Sequence, residues 1–253
     1  MDHQSNDTID RRDLARRYIE LLRDSVGGRF LVDDGIAAEM WEEGRDFPVP
    51  YPPIYTMVGR RRLDNLIECI PSVINDGGAG DVLEAGVWRG GTCILMRGVL
   101  VAAGDRSRRV YVADSFEGLP PPDVTRYPKD ADMDLHLRPE LAVSVDRVRD
   151  NFAAFGLLDD RVEFVKGRFC DSLPSLRGHA WAVVRLDGDM YESTMDALVH
   201  LYPSLTVGGY LIIDDYGAYE ACRAAVHDYR HRMRIREPIR SIDWTGVYWR
   251  RER

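Results

Sequence analysis

No stretch of the chain approaches the roughly 20 consecutive apolar residues that a membrane-spanning helix requires, so no helical membrane span is predicted. Cysteine is scarce and scattered. Cys69, Cys93, Cys170 and Cys222 form no C-x-x-C pair, which disfavours a thiolate metal site and reads as buried or inert thiols in a reducing cytoplasm. Positive charge is in deficit, with 34 Lys and Arg against 42 Asp and Glu for a net charge of −8. That balance argues against a partner gripped through its phosphates, such as tRNA or rRNA. The short basic clusters, Arg60-Arg61-Arg62 and the RRER tail, read as solvated ends of helices or strands. The polar opening MDHQSNDTIDRRD predicts no secretory leader. There is no internal repeat and no low-complexity tract.

What is present is ample for a globular core: 253 residues, 45% of them apolar, with only 13 Pro. Leu14, Tyr18, Leu21, Leu22 and Val26 recur at helical intervals, which predicts an amphipathic helix over 11–26. A second helix is expected over 34–43, followed by the Pro-rich FPVPYPPIY, which forces extended or turn structure. A third is expected over 61–75, so residues 1–80 read as a helical N-terminal cap and 81–253 as the main domain. From Asp81 onward β-rich runs at 81–85, 109–113, 161–166, 180–186 and 209–213 alternate with helical segments near 90–103, 141–155, 191–203 and 218–232. Strands alternating with helices predict an α/β, Rossmann-like, doubly wound parallel sheet. The ending RSIDWTGVYWRRE reads as two strands joined by a turn at Asp243–Gly246, an antiparallel hairpin closing the sheet. That finish is similar to class I methyltransferases.

Ligands of such sheets bind beyond the carboxyl ends of the strands. After the first strand stands Glu84-Ala85-Gly86-Val87-Trp88-Arg89-Gly90-Gly91. A dinucleotide fingerprint needs glycine two places after Gly86, where a pyrophosphate meets bare backbone; Trp88 occupies that place. The pattern E-x-G-x-x-x-G-G instead resembles the first methyltransferase motif, which surrounds the methionine end of S-adenosylmethionine; a purely structural strand–helix turn is the alternative. Asp114, at the end of the second strand, is suited to a ribose diol, with Ser115 beside it; the alternative is an Asp capping the next turn. Gly167, Arg168 and Phe169 follow the third strand and offer a backbone turn and an aromatic face for an adenine, unless Phe169 belongs to the core.

The fourth strand ends in Asp187-Gly188-Asp189 and the fifth in Asp214-Asp215. Strands in those positions are neighbours, so four carboxylates converge. Like charges repel and burial disfavours each ion, a cost that a divalent cation removes. Oxygen-only ligands favour Mg²⁺. Against this stands the use of Asp-Gly as a turn pair and of Asp214-Asp215 as a helix cap. His227 and His231 share a helical face but lack the zincin Glu, and read as solvated.

The chain resembles, over nearly its full length, the macrocin-type (TylF-like) O-methyltransferases of antibiotic biosynthesis. The resemblance is carried by YIELLRDSV, YTMVGRRRLDNL, LEAGVWRGG, VADSFEGLP, NFAAFGLLDDRV, RLDGDMYESTMD, GGYLIIDDYGAYEACR and GVYWRR. It implies methyl transfer from S-adenosylmethionine to a deoxysugar hydroxyl of a natural-product glycoside. It implies Mg²⁺ on Asp187, Asp214 and Asp215, Asp189 as general base, Glu84 and Gly86 on the methionine side, and Asp114 and Ser115 on the ribose side. Substrate contacts are implied at Thr56 and Met57 and, from the LHxxxE loop, at His136 and Glu140. The loop over 117–140 differs from relatives in length and sequence, so the acceptor is the least determined part. A cytoplasmic homo-oligomer is also implied. Two other readings stand beside this one: a catechol-type methyltransferase with the same cofactor and metal, and a nicotinamide dehydrogenase, against which Trp88 argues.

Overall fold

Parallel strands cannot be joined by tight turns, so each β-rich segment must be followed by a crossover, which the intervening helical segments supply. The computed structural model describes residues 10–31, 36–45 and 52–253. In it β1 (Asp81–Ala85), β2 (Val110–Asp114), β3 (Val162–Lys166), β4 (Trp181–Leu186) and β5 (Leu205–Ile213) pair in parallel. The short strands β6 (Arg240–Ser241) and β7 (Val247–Arg250) form an antiparallel hairpin, and β7 runs antiparallel to β5. The sheet order is β3-β2-β1-β4-β5-β7-β6. It reverses direction between β1 and β4, which is where a ligand crevice opens in such sheets.

The helices α1 (Arg11–Val26), α2 (Ile36–Glu43), α3 (Arg60–Asn75), α4 (Gly91–Ala102) and α5 (Val145–Ala154) precede or interleave the first three strands. After β3 come the short α6 (Phe169–Ser172), which the sequence pattern did not predict, then α7 (Tyr191–Leu201) and α8 (Glu220–Met233). Strand residues alternate between the two layers, as a period of two requires. Val82, Val110, Val112, Val183 and Ile212 pack towards α1, α3, α4 and α5, while Leu83, Tyr111, Val184, Leu211 and Ile213 pack towards α7 and α8. Continuing that alternation puts Glu84, Arg185 and Asp214 on the first side.

Strand β5 starts four residues earlier than the sequence suggests. A register shift between Trp181 and Val183 absorbs the Gly208-Gly209 pair, and Thr206 Oγ1 donates to the Trp181 carbonyl at 2.9 Å. Cys69, Cys93 and Cys222 are buried; Cys170 is exposed, its thiol pushed up by partial burial and by Asp171. No helix among the described residues is long and apolar enough to cross a membrane. The polar start (residues 1–9), residues 34–35 of the expected second helix and residues 47–51 of the Pro-rich stretch lie outside the described residues.

The closing hairpin is bound to the core by Trp249, which is 0% exposed, stands 6.1 Å from the Tyr202 ring and lies under the Arg230 guanidinium at 4.6 Å. Trp249→Ala should therefore lower stability by about 3–5 kcal/mol. In urea the midpoint should fall with the slope unchanged; an unmoved midpoint would show that the hairpin is not part of the cooperative core.

Candidate active site

A cavity of about 490 Å³ opens at the carboxyl ends of β1, β2, β4 and β5. Its depth is set by Gly86, which has φ +89° and leaves no room for a side chain: a Cβ there would stand 1.7 Å from the Asp187 carbonyl oxygen. The backbone of β1 therefore passes directly against the end of β4, with Asp187 N–H donating to the Ala85 carbonyl at 2.8 Å. Gly91 opens α4 under a similar constraint. Its N–H donates to the Tyr55 carbonyl at 2.9 Å, and a Cβ would lie 2.5 Å from that oxygen. This contact draws Thr56 and Met57 to the cavity wall, where the sequence reading expected them.

The floor is a row of charge. The register pairs Glu84 with Arg185 across β1 and β4. Arg185, 0% exposed, donates from Nη1 to Glu84 and, at 2.8 Å, to Asp187 Oδ2, and from Nη2 to Asp214 Oδ1. Glu84 turns its other oxygen to Thr92 Oγ1 and to Cys93 Sγ at the start of α4. Asp214 Oδ2 accepts from Arg62 of α3. Carboxylate oxygens of Asp187, Asp214 and Asp215 all lie within 4.8 Å of one another. Asp189 completes the group. Its backbone is left-handed, at φ +57°, and its N–H donates to Asp215 Oδ2 at 3.1 Å.

Negative charge outweighs the two guanidinium groups, and the ionisation of the site reflects it. Burial, then the charge of Asp214, pushes the Asp187 carboxyl up to about 7. Burial followed by the surrounding carboxylates drives Asp189 and Asp215 well above the usual carboxylate range. An all-oxygen donor set with an excess of negative charge is what a hard divalent cation takes up. Each oxygen of Asp214 accepts from one guanidinium and keeps a second lone pair.

Of the residues expected at the cofactor, Glu84, Gly86, Asp114, Ser115, Arg168 and Phe169 line the cavity, while Gly167 sits just behind it at φ +142°. The Asp114 carboxylate accepts from Val87 N–H at 2.8 Å and Phe116 N–H at 2.7 Å, so it also fixes the glycine turn. Burial raises its carboxyl. The acceptor-side expectations divide. Thr56 and Met57 border the cavity; His136 and Glu140 do not, and from that loop Leu135, Arg138 and Leu141 face it instead. Glu140 contributes its main-chain carbonyl, which accepts from Trp88 Nε1 at 3.0 Å. The same loop carries the buried Asp130, whose carboxylate caps α7 by accepting from Tyr191 N–H at 2.6 Å and Glu192 N–H at 3.1 Å.

Two site residues escaped the sequence reading. Arg185 falls within the β-rich run 180–186, and nothing in that pattern marks it as a site residue. Composition places Arg62 in a solvated cluster, and the structure corrects this: it is 3% exposed, because it lies one helical turn before the buried Leu66 on the inward face of α3. Arg60, in contrast, stays partly exposed and pairs with Glu42 and Asp64.

The geometry can be set against known proteins. The sequence profile of macrocin O-methyltransferase (TylF) matches residues 5–251. The chain is 49% identical to the 8-demethyl-8-(2,3-dimethoxy-alpha-L-rhamnosyl)-tetracenomycin-C 4'-O-methyltransferase of Streptomyces olivaceus, over 96% of this chain and 94% of that protein. It is 47% identical to the mycinamicin III 3''-O-methyltransferase of Micromonospora griseorubida, over 92% and 96%. The solved structure of the O-methyltransferase NovP superposes with a TM-score of 0.90 at 44% identity, covering 94% of this chain and all of that one. The sheet is thus that of the class I methyltransferases, and the chain belongs to the macrocin (TylF) O-methyltransferase family, its activity an S-adenosylmethionine-dependent O-methylation.

Proposed function

We propose that the enzyme methylates a hydroxyl of a deoxysugar on a natural-product glycoside, with Mg²⁺ held by Asp187, Asp214 and Asp215. The observation that carries this reading is the convergence of those three carboxylates beside Asp189 at the floor of the cavity. The relatives whose names specify a sugar position support the acceptor class. The cavity volume falls in the range of small-molecule sites, roughly 300–1,000 Å³, and the net charge of −8 suits such an acceptor better than a nucleic acid. A homo-oligomer belongs to the same reading, supported by the exposed Leu14 and Leu21 on α1.

When bound, S-adenosylmethionine supplies an electrophilic methyl group on a sulfonium. A hard divalent cation on the three aspartates would supply Lewis acidity towards acceptor oxygens. The chain does the rest. Gly86 lets the turn after β1 pass against the end of β4 at the cavity floor, and Asp114 stiffens that turn. Thr56, Met57, Leu135 and Arg138 border the space left for the acceptor. Asp189 takes the hydroxyl proton. An ordinary aspartate is too weak a base for an alcohol on its own, so Asp189 acts together with the Lewis acidity that a cation on the neighbouring aspartates would supply.

Asp189→Asn should lower kcat by roughly 10²- to 10⁴-fold while leaving S-adenosylhomocysteine binding unchanged in calorimetry; retained turnover would remove Asp189 from the base role. Mass spectrometry over a panel of deoxysugar glycosides and catechols should show gain of one methyl on glycosides with vicinal hydroxyls, lost with EDTA. Transfer that survives EDTA would remove the metal from the reaction, and transfer confined to catechols would change the acceptor class.

Ionisation gives a further outcome. The Asp187 carboxyl is raised from its ordinary 3.8 to about 7, so its contribution to stability is complete below the ordinary value and lost as pH rises through the raised one. Mg²⁺ favours the ionised carboxylates, so the rise in Tm on adding Mg²⁺ should grow from about pH 6 to about pH 8. A pH-independent increment, or none, would contradict this charge balance.

A further inference from the structure

Arg62 spreads one guanidinium over three parts of the chain. Nη1 donates to Asp214 Oδ2, Nε donates to Asp243 Oδ2 at 2.9 Å, and Nη2 donates to the carbonyls of Glu43 at 3.1 Å and Gly44 at 3.3 Å. These partners lie at the carboxylate cluster, in the turn of the closing hairpin, and at the end of α2, where Gly44 and Arg45 border the cavity.

Asp243 is itself held in one orientation. Its side chain is 2% exposed, and Oδ1 accepts from Thr245 N–H at 3.0 Å and Gly246 N–H at 2.7 Å. Thr245 Oγ1 then donates to the Asp214 carbonyl at 2.9 Å. Asp214 is thereby fixed at Oδ2 through Arg62 and at its main chain through Thr245, both referring back to Asp243, while Arg185 separately holds Oδ1. The surroundings are built for this guanidinium. At Gly44, which has φ +62°, a Cβ would lie 2.5 Å from Arg62 Nη2, and at Gly246 a Cβ would lie 2.7 Å from Arg62 Cδ. Only a planar fork with fixed donor directions reaches all of these partners at once; a lysine ammonium cannot.

We propose that Arg62 is a positioning residue which, aimed by Asp243, holds the Asp214 carboxylate in one rotamer and so sets the affinity of the Asp187–Asp214–Asp215 group for a divalent cation. The proposal rests on the metal reading given above. A carboxylate already held in place presents its remaining lone pairs in a fixed direction and loses little side-chain freedom when a cation arrives. The contacts to Glu43 and Gly44 extend this dependence to the cavity edge, so displacement of that edge loosens the cation group.

Mn²⁺ serves as the probe, its free ion counted by electron paramagnetic resonance against wild-type protein, Asp243→Asn and Arg62→Lys. Asp243→Asn leaves Arg62 and every proposed ligand in place; it removes the charge that aims the guanidinium and replaces one of the two accepting oxygens by an NH2 donor, which must face either Arg62 Nε or the Thr245 and Gly246 N–H groups. In both variants the dissociation constant for Mn²⁺ should rise roughly 10- to 100-fold. Turnover lost at low Mg²⁺ should return at saturating Mg²⁺, and metal-free binding of S-adenosylhomocysteine should not change. Unaltered Mn²⁺ affinity in a folded Asp243→Asn, beside a wild type that binds, overturns the proposal and leaves the metal reading standing. A wild type that binds no Mn²⁺ overturns both. Should Asp243→Asn fail to fold by near-ultraviolet circular dichroism, the Arg62→Lys titration decides on the same criterion.

Discussion

Arg185 lies between Glu84 and Asp214 in the middle of a sheet covered on both faces, where every other side chain of β4 is apolar. Three charges in that position are tolerable only together. Each alone would carry the desolvation cost of a buried ion, and removing one partner leaves another uncompensated. The row therefore ties the carboxyl ends of β1, β4 and β5 to one another at a fixed lateral spacing. From those ends project Gly86, Asp187, Asp189 and Asp215. Buried ion networks are weak evidence for net stability; the contribution here is geometric, since it sets where the next residues of three strands emerge.

Beyond the row the balance changes sign. Arg185 and Arg62 are spent on Glu84, Asp187, Asp214 and Asp243, and no ion pair among the described residues reaches Asp189 or Asp215, although the charge of Arg138 on the cavity wall partly offsets that of Asp189. The same few residues thus contain a compensated part, fixed by guanidinium groups, and an uncompensated part facing the cavity. The first behaves as scaffold. The second is where burial and the neighbouring carboxylates raise proton affinity.

Much of this was readable from residue order. Strand–helix alternation gave the sheet, and the Gly86 turn, Asp114 and the two aspartate groups all fall on strand ends that share one cavity. Lateral register was not readable, because periodicity reports which face a residue occupies and not which neighbour it meets. The signal for the row was nevertheless present as a charge within each of two apolar runs, Glu84 in DVLEA and Arg185 in AWAVVRL. Arg62 was hidden by its neighbours: three consecutive arginines look alike in composition, and only helical phase, one turn from Leu66, separates the buried one. His136 and Glu140 are implied only by motif position in a loop without periodicity, and there the backbone path decides which side chains face inward.

That loop is fastened in an unequal way. Asp130 uses its carboxylate to cap α7, so its identity is constrained. At a second fastening Trp88 reaches a main-chain oxygen, and residue 140 contributes nothing of its side chain to that bond. An anchor of this kind is indifferent to sequence: substitutions along the loop can change what the cavity mouth presents to an acceptor while the strap stays tied to the cofactor turn. The residues that face the cavity from this loop can in this way change between close relatives without any change to the glycine turn to which it is tied.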